Sequence, residues 1–185
     1  MPRQDIKISK FLSLVLRHSP QTLGVSLDEE GWIDIDVLLE ACRQSGKDIS
    51  PQDLQRVVAA NDKQRFVIRD GRIRANQGHS LKIDLALVPV RPLEVLYHGT
   101  ASRFVEAIRE QGLKKMNRQH VHLSPDLDMA RKVGTRHGKP VILAVAAGAM
   151  FDSGHVFYCS ENGVWLTDSV PWEHMQVVDD FVAPD

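Results

Sequence analysis

Cysteine is scarce in this chain. Its 185 residues include only Cys42 and Cys159, far apart and outside any Cys-x-x-Cys. No disulfide framework or zinc knuckle follows, and a reducing cytoplasm is the expected setting. Long apolar runs are also missing. The longest, Val141 to Ala147, is far too short to span a bilayer, and the charged N-terminus has no apolar signal-peptide core. No membrane partner is expected. Charge of one sign is lacking too. The formal net charge is −1, so any attraction for nucleic acid must come from local clusters. No Gly-x-Gly-x-x-Gly occurs, which argues against a Rossmann nucleotide site. Neither an internal repeat nor a low-complexity tract is present. What the chain does have is 43% hydrophobic residues, enough to build one medium domain or two small ones.

The first ninety residues alternate helices with short strands. Ile8, Phe11, Leu12, Val15 and Leu16 form one helical stripe, which Ser19-Pro20 ends. Arg17 and His18 then fall in its last turn, where basic residues also complement the helix dipole. Gly31-Trp32-Ile33 reads as a strand. Asp34 or Asp36 can cap a helix running to about Ser45, with Leu38 and Cys42 inward. Ser50-Pro51-Gln52-Asp53 starts another helix, with a Ser cap and Pro at the first helical position. Asp70-Gly71 between two alternating runs predicts a hairpin over residues 65–75. Three helices followed by a hairpin is the element order of a winged-helix domain. Residues 63–82 carry Lys63, Arg65, Arg69, Arg72, Arg74 and Lys82 against only Asp70, which suits phosphate contacts or a plain solvated face.

Pro89 and Pro92 bracket an expected linker at Val88 to Leu93. Beyond it, Leu96-Tyr97-His98-Gly99-Thr100 reads as a strand that Gly99 breaks, followed by a helix capped by Thr100 or Ser102. Such a helix start offers N–H groups to an anion. A short strand carrying His120 and His122 on one face follows Arg118. His120-x-His122 has the spacing of a metal pair, but no third ligand stands at a recognisable spacing, so no metal is expected. A helix over Asp126–His137, a strand over Val141–Ala147, a hairpin across Ser160–Gly163 and a last strand over Met175–Val178 complete an α+β pattern.

Six ordered motifs carry a resemblance along nearly the whole chain. They are Ser9-Lys10-Phe11-Leu12-Ser13 with Leu16-Arg17-His18; Asn61-Asp62-Lys63-Gln64-Arg65-Phe66; Gln77-Gly78-His79-Ser80; His98-Gly99-Thr100; Arg118 with His120-Val121-His122-Leu123-Ser124; and Val164-Trp165-Leu166-Thr167. The chain resembles the KptA-type RNA 2′-phosphotransferases. The resemblance implies a winged-helix lobe over residues 1–90, an NAD-binding lobe similar to ADP-ribosyltransferases over residues 91–185, and an active site shared by the two. It maps the family's Arg-His-Arg-Arg tetrad onto Arg17, His18, Arg65 and Arg118. It assigns His98, Gly99, Thr100, His122 and Ser124 to NAD, and Arg74, His79 and Ser80 to the RNA.

The implied reaction removes an internal RNA 2′-phosphate in two steps. The phosphate is first ADP-ribosylated by NAD, and transesterification then releases RNA with a 2′-OH, with nicotinamide and ADP-ribose 1″,2″-cyclic phosphate as the other products. NAD is consumed, no metal takes part, and a monomer is expected. Two alternatives stay open: an ADP-ribosyltransferase that stops after the first step, acting on nucleic-acid phosphates or protein, and a winged-helix regulator that senses a nucleotide.

Overall fold

The computed structural model describes residues 2–61 and 63–178, without the side chain of His137. Asp62 of the second motif and the last seven residues of the expected second lobe lie outside the described residues. The chain divides into two compact units, Met1–Ala86 and Leu87–Asp185. The stretch expected as a linker falls within the second unit. There the Val90 N–H donates to the Phe157 carbonyl (2.9 Å), and Arg91 pairs with Glu94 and Asp152.

In the first unit, α1 (Arg3–Arg17) buries Ile8, Leu12, Val15 and Leu16, the apolar stripe read from the sequence. A strand β1 (Ile33–Asp34) leads into α2 (Ile35–Gln44). Of the two candidate caps it is Asp34 that accepts from the Asp36 and Val37 amides. Helix α3 (Pro51–Ala59) starts in a full capping box between Ser50 and Asp53. Its Arg56 reaches back to Asp5 on α1 (3.0 Å), so a carboxylate with only 2% exposure is paired. Strands β2 (Phe66–Arg69) and β3 (Arg72–Ala75) form the hairpin, with Asp70 and Gly71 both at positive φ. That is the backbone a two-residue turn needs to follow the strand twist. The sheet order is β1-β3-β2, antiparallel throughout. Leu38, Cys42, Leu54, Val57, Phe66 and Ile73 close the core over the α1 stripe.

The second unit is built from short antiparallel strands. Strand β4 (Leu96–Ala101) leads through a single 3-10 turn to α4 (Val105–Gln111), β5 (Leu113–Lys114), β6 (Val121–Leu123) and α5 (Leu127–Gly134). Then come β7 (Pro140–Val145), α6 (Ala147–Asp152), β8 (Phe157–Cys159), β9 (Trp165–Thr167), β10 (Ser169–Val170) and β11 (Met175–Val178). Three sheets result, ordered β11-β7-β4, β6-β9-β8 and β10-β5. Helices and antiparallel strands together make an α+β molecule, as expected. Leu96, Leu143, Val145, Met150 and Phe157 are fully buried at the centre of this unit.

Three expectations fail here. Gly99 does not break the strand. It lies inside β4, paired with Ile142, and pairing continues to Ala101. A Cβ at Gly99 would sit 1.8 Å from the Ala130 carbonyl oxygen on α5, so the glycine serves close helix-on-strand packing. Neither Thr100 nor Ser102 caps a helix. Helix α4 begins after Phe104 with no side-chain cap. The strand expected over Val141–Ala147 ends at Val145, because Ala147 already belongs to α6.

Candidate functional site

The first unit gathers six of the residues singled out from sequence around the C-terminal end of α1. The Leu14 carbonyl accepts from the amides of both His18 and Ser19, so the helix closes tightly there. That leaves Arg17 as its last residue and His18 as an exposed cap. The loop after the hairpin folds onto this end. The Ser80 N–H donates to the Arg17 carbonyl at 3.0 Å, and the Ser80 hydroxyl lies 3.0 Å from His18 Nδ1. Gly78, at φ 87, passes close to the Arg17 side chain.

Arg17 Nη2 donates to the Arg65 carbonyl (3.4 Å), which also accepts the Asn76 amide (2.9 Å). Arg65 Nη1 donates to Asn61 Oδ1 (3.2 Å), and Asn61 Nδ2 donates on to Ser9 Oγ (3.2 Å). Asn61 is 3% exposed, so Arg65 is aimed by a buried amide. This anchor was missed from sequence, although it stands four residues before Arg65 in the same motif.

His79 is 1% exposed, with no hydrogen-bond partner for either ring nitrogen among the described residues. Burial, with the charges of Arg17, His18 and Arg74, pushes its pKa down to about 4. It is therefore a neutral imidazole at pH 7. Arg74, also buried, lies over the Trp32 ring (4.6 Å) and against Glu30, 3.5 Å from its carbonyl and 3.7 Å from its carboxylate. The residue that the resemblance assigns to RNA thus sits in β3 of the hairpin with its side chain 7% exposed. Arg72 is likewise paired, with Asp28.

The second unit brings together His98, Arg118 and His122. Strands β4 and β6 meet at one isolated bridge, Tyr97 with Ser124, where two 2.8 Å hydrogen bonds join them. His98 is the next residue along β4. Its Nδ1 lies 3.0 Å from the His122 carbonyl. A carbonyl only accepts, so Nδ1 holds the hydrogen and Nε2 of the neutral ring is an acceptor. Burial lowers the His98 pKa, and the Arg118 charge lowers it further, against the carbonyl bond that raises it. Arg118 Nη1 lies 3.3 Å from His122 Nδ1. A guanidinium only donates, so His122 carries its hydrogen on Nε2. Nε2 is thus an acceptor in His98 and a buried donor in His122. The Arg118 pKa is lowered by desolvation and by the like charge of Arg136, a neighbour the sequence did not suggest.

His122, Leu166 and Tyr158 are register partners across β6-β9-β8, so their side chains share one face. His120 precedes β6, yet its ring meets Tyr158 edge-on at 5.7 Å, which puts it on that face as well. Beside it a cavity of about 320 Å³ is lined by His120, His155, Tyr158 and Asp168 among others. Burial lowers the His120 pKa, helped by Lys115 and opposed by Asp168. The Ser124 hydroxyl is taken up in the turn before α5, donating to the Asp126 carbonyl and accepting its amide. Thr100 is buried in β4. Among the described residues, no three or more His, Cys, Asp or Glu side chains gather so as to hold a metal ion. Nor is any helix there long and apolar enough to cross a membrane.

Residues 3–169 match the family model for "RNA 2'-phosphotransferase, Tpt1 / KptA family". The chain is 53% identical over 171 residues to a "Probable RNA 2'-phosphotransferase" of Flavobacterium johnsoniae, covering 91% of this chain and 94% of that one. It is 53% identical over 173 residues to the protein of the same description in Hahella chejuensis, covering 92% and 93%. Over 181 residues it is 50% identical to that of Streptomyces coelicolor, covering 98% and 97%. With the match running through every motif from Ser9 to Thr167, the chain belongs to the Tpt1/KptA family of RNA 2′-phosphotransferases.

Proposed function

We propose that this protein removes an internal 2′-phosphate from RNA at the expense of NAD. The observation that carries the reading is the gathering of adjacent Arg17 and His18 with Arg65, 48 positions beyond Arg17, by the Ser80 loop and the Asn61 anchor. The first unit is read as a winged-helix lobe on its element order, and the second as an ADP-ribosyltransferase-like lobe.

In the first step a 2′-phosphate oxygen attacks C1″ of the nicotinamide ribose. The C–N glycosidic bond breaks, and nicotinamide leaves as a neutral molecule. Arg17, Arg65 and Arg118 hold the phosphate, since a guanidinium fork matches its oxygens. The nucleophile is already ionised and needs no base. The acceptor nitrogen of His98 suits a ribose hydroxyl, and the Nε2–H of His122 suits an oxygen acceptor. Gly99 and Thr100 back this pocket as part of β4, and Ser124 shapes its edge through the turn. In the second step the 2″-hydroxyl attacks the phosphorus, and the bond to the RNA 2′-oxygen breaks. His18, the tetrad member that can move a proton near neutral pH, protonates that oxygen. The hydroxyl proton passes to solvent. No metal enters either step.

The test is a short RNA with one internal 2′-phosphate, incubated with and without NAD in the presence of EDTA. NAD-dependent loss of the phosphate with cyclic ADP-ribose phosphate formed supports the reading. ADP-ribosylated RNA alone indicates a transferase that stops early. No change in either molecule refutes catalysis. Arg118→Ala is expected to lower turnover roughly 100- to 1000-fold, the usual cost of removing one transition-state donor.

A further inference from the structure

We propose that Ser80 is a positioning residue for His18, fixing which imidazole nitrogen meets the RNA. The proposal rests on the functional reading above and goes beyond it, because the sequence offered Ser80 only as an RNA contact.

Ser80 holds α1 at two points. Its amide donates to the Arg17 carbonyl, and its hydroxyl meets Nδ1 of the very next residue, each at 3.0 Å. The hydroxyl is thus fixed relative to the helix end from which His18 projects. The loop that delivers it is held from beneath by His79, buried among Gly31, Ile83, Arg17 and Arg74. A buried imidazole with neither nitrogen paired is costly to keep. A packing anchor alone would be cheaper as leucine or methionine. A polar but neutral ring lies within the electrostatic reach of Arg17 and Arg74 without adding a charge there.

In the imidazolium form both ring nitrogens carry hydrogen, so Nδ1–H of His18 donates to the Ser80 hydroxyl. This leaves Nε2, on the far side of the ring, as the nitrogen that exchanges a proton. A hydrogen bond on one ring nitrogen fixes the state of the other, the rule seen wherever imidazoles are oriented for chemistry. In the second step the imidazolium gives its Nε2 proton to the departing RNA 2′-oxygen as the phosphorus–oxygen bond breaks. The ring is left neutral, with Nδ1–H still on Ser80. The same bond holds the ring plane, so the donor does not have to search for its angle.

The experiment has two arms. The first is nitrogen-15 NMR of the histidine rings in the free protein, with His18 assigned by difference against His18→Ala. In the native protein the neutral His18 ring is expected to show the Nδ1–H form. Ser80→Ala should turn it towards the Nε2–H form, and Ser80→Thr should restore the native pattern. The second arm is single-turnover reaction of RNA bearing a 2′-phosphate with NAD. Ser80→Ala should slow the second step at least tenfold more than the first, so that ADP-ribosylated RNA accumulates, with Ser80→Thr again restoring the balance. An unchanged His18 spectrum in Ser80→Ala overturns the proposal, and so does equal slowing of both steps. If the native protein leaves the 2′-phosphate in place, the functional reading fails instead, and the NMR arm still decides the role of Ser80.

Discussion

His79 stands at the residue scale as a neutral ring in a ring of cations. Its folded pKa, about 4, lies below the unfolded value of 6.5, so the unfolded chain binds the extra proton between those pH values. Stability from this group is complete above pH 6.5 and is lost as the pH falls towards 4. The total is about 3 kcal/mol, at 1.36 kcal/mol per unit. Denaturant titrations between pH 7 and 4 should show that loss, and His79→Gln should flatten it. A native curve as flat as that of the variant would mean that water or another group already supports the proton. The sequence revealed His79 and Ser80 as members of a motif but not their places. A glycine-flanked polar tetrapeptide gives no sign that one member is buried and the next meets a histidine 62 positions away. The surroundings of Arg74 were hidden for the same reason. Its charge is visible in the sequence, whereas the Trp32 face and the Glu30 oxygens that occupy it are not.

At the scale of elements, the docking of α5 onto β4 carries the second unit's histidines. Gly99 and Gly134 let the two backbones close together, since a Cβ at Gly134 would also come within 2.7 Å of the Thr100 carbonyl oxygen. Gly99→Ala drives a methyl into backbone, which cannot swing aside. A cost of about 3 kcal/mol is expected, the upper end for overpacking. Gly46→Ala has open space around it and meets only the strain of a positive φ, so it should cost about 1 kcal/mol. Chemical denaturation of both variants checks the contrast. Periodicity and capping made the long elements readable. The α1 stripe, the Ser50 box and the Asp70-Gly71 turn all follow from local chemistry. Gly99 was misread because a glycine that ends a strand and one that admits a helix look alike in one dimension. Helix α6 was hidden because its first alanine prolongs the apolar run of β7. The two-residue strands β5 and β10 are too short to show any period.

For the whole molecule the telling quantity is the balance of charge. The chain is almost neutral, and the hairpin arginines Arg72 and Arg74 are met by Asp28 and Glu30. A long track of free cations for an RNA backbone is therefore not the expected mode of binding. KM for a short RNA bearing a 2′-phosphate should rise less than about tenfold between about 50 and 200 mM salt, the slope for about two neutralised phosphates. A hundredfold rise would indicate an extended electrostatic track. The α+β class and the family motifs were legible from end to end. The partner of each arginine was not, because pairing depends on three-dimensional neighbours such as Asn61 and Trp32. One feature of the second unit offers a natural reporter. Tyr97 and Ser124 form a backbone rung between β4 and the end of β6, one step from His98 on one rail and two from His122 on the other. A molecule that grips both histidines braces the ladder at that rung. The amide protons of Tyr97 and Ser124 should then exchange with deuterated solvent more slowly when the pocket fills, while those buried deep between β4 and β7 keep their pace.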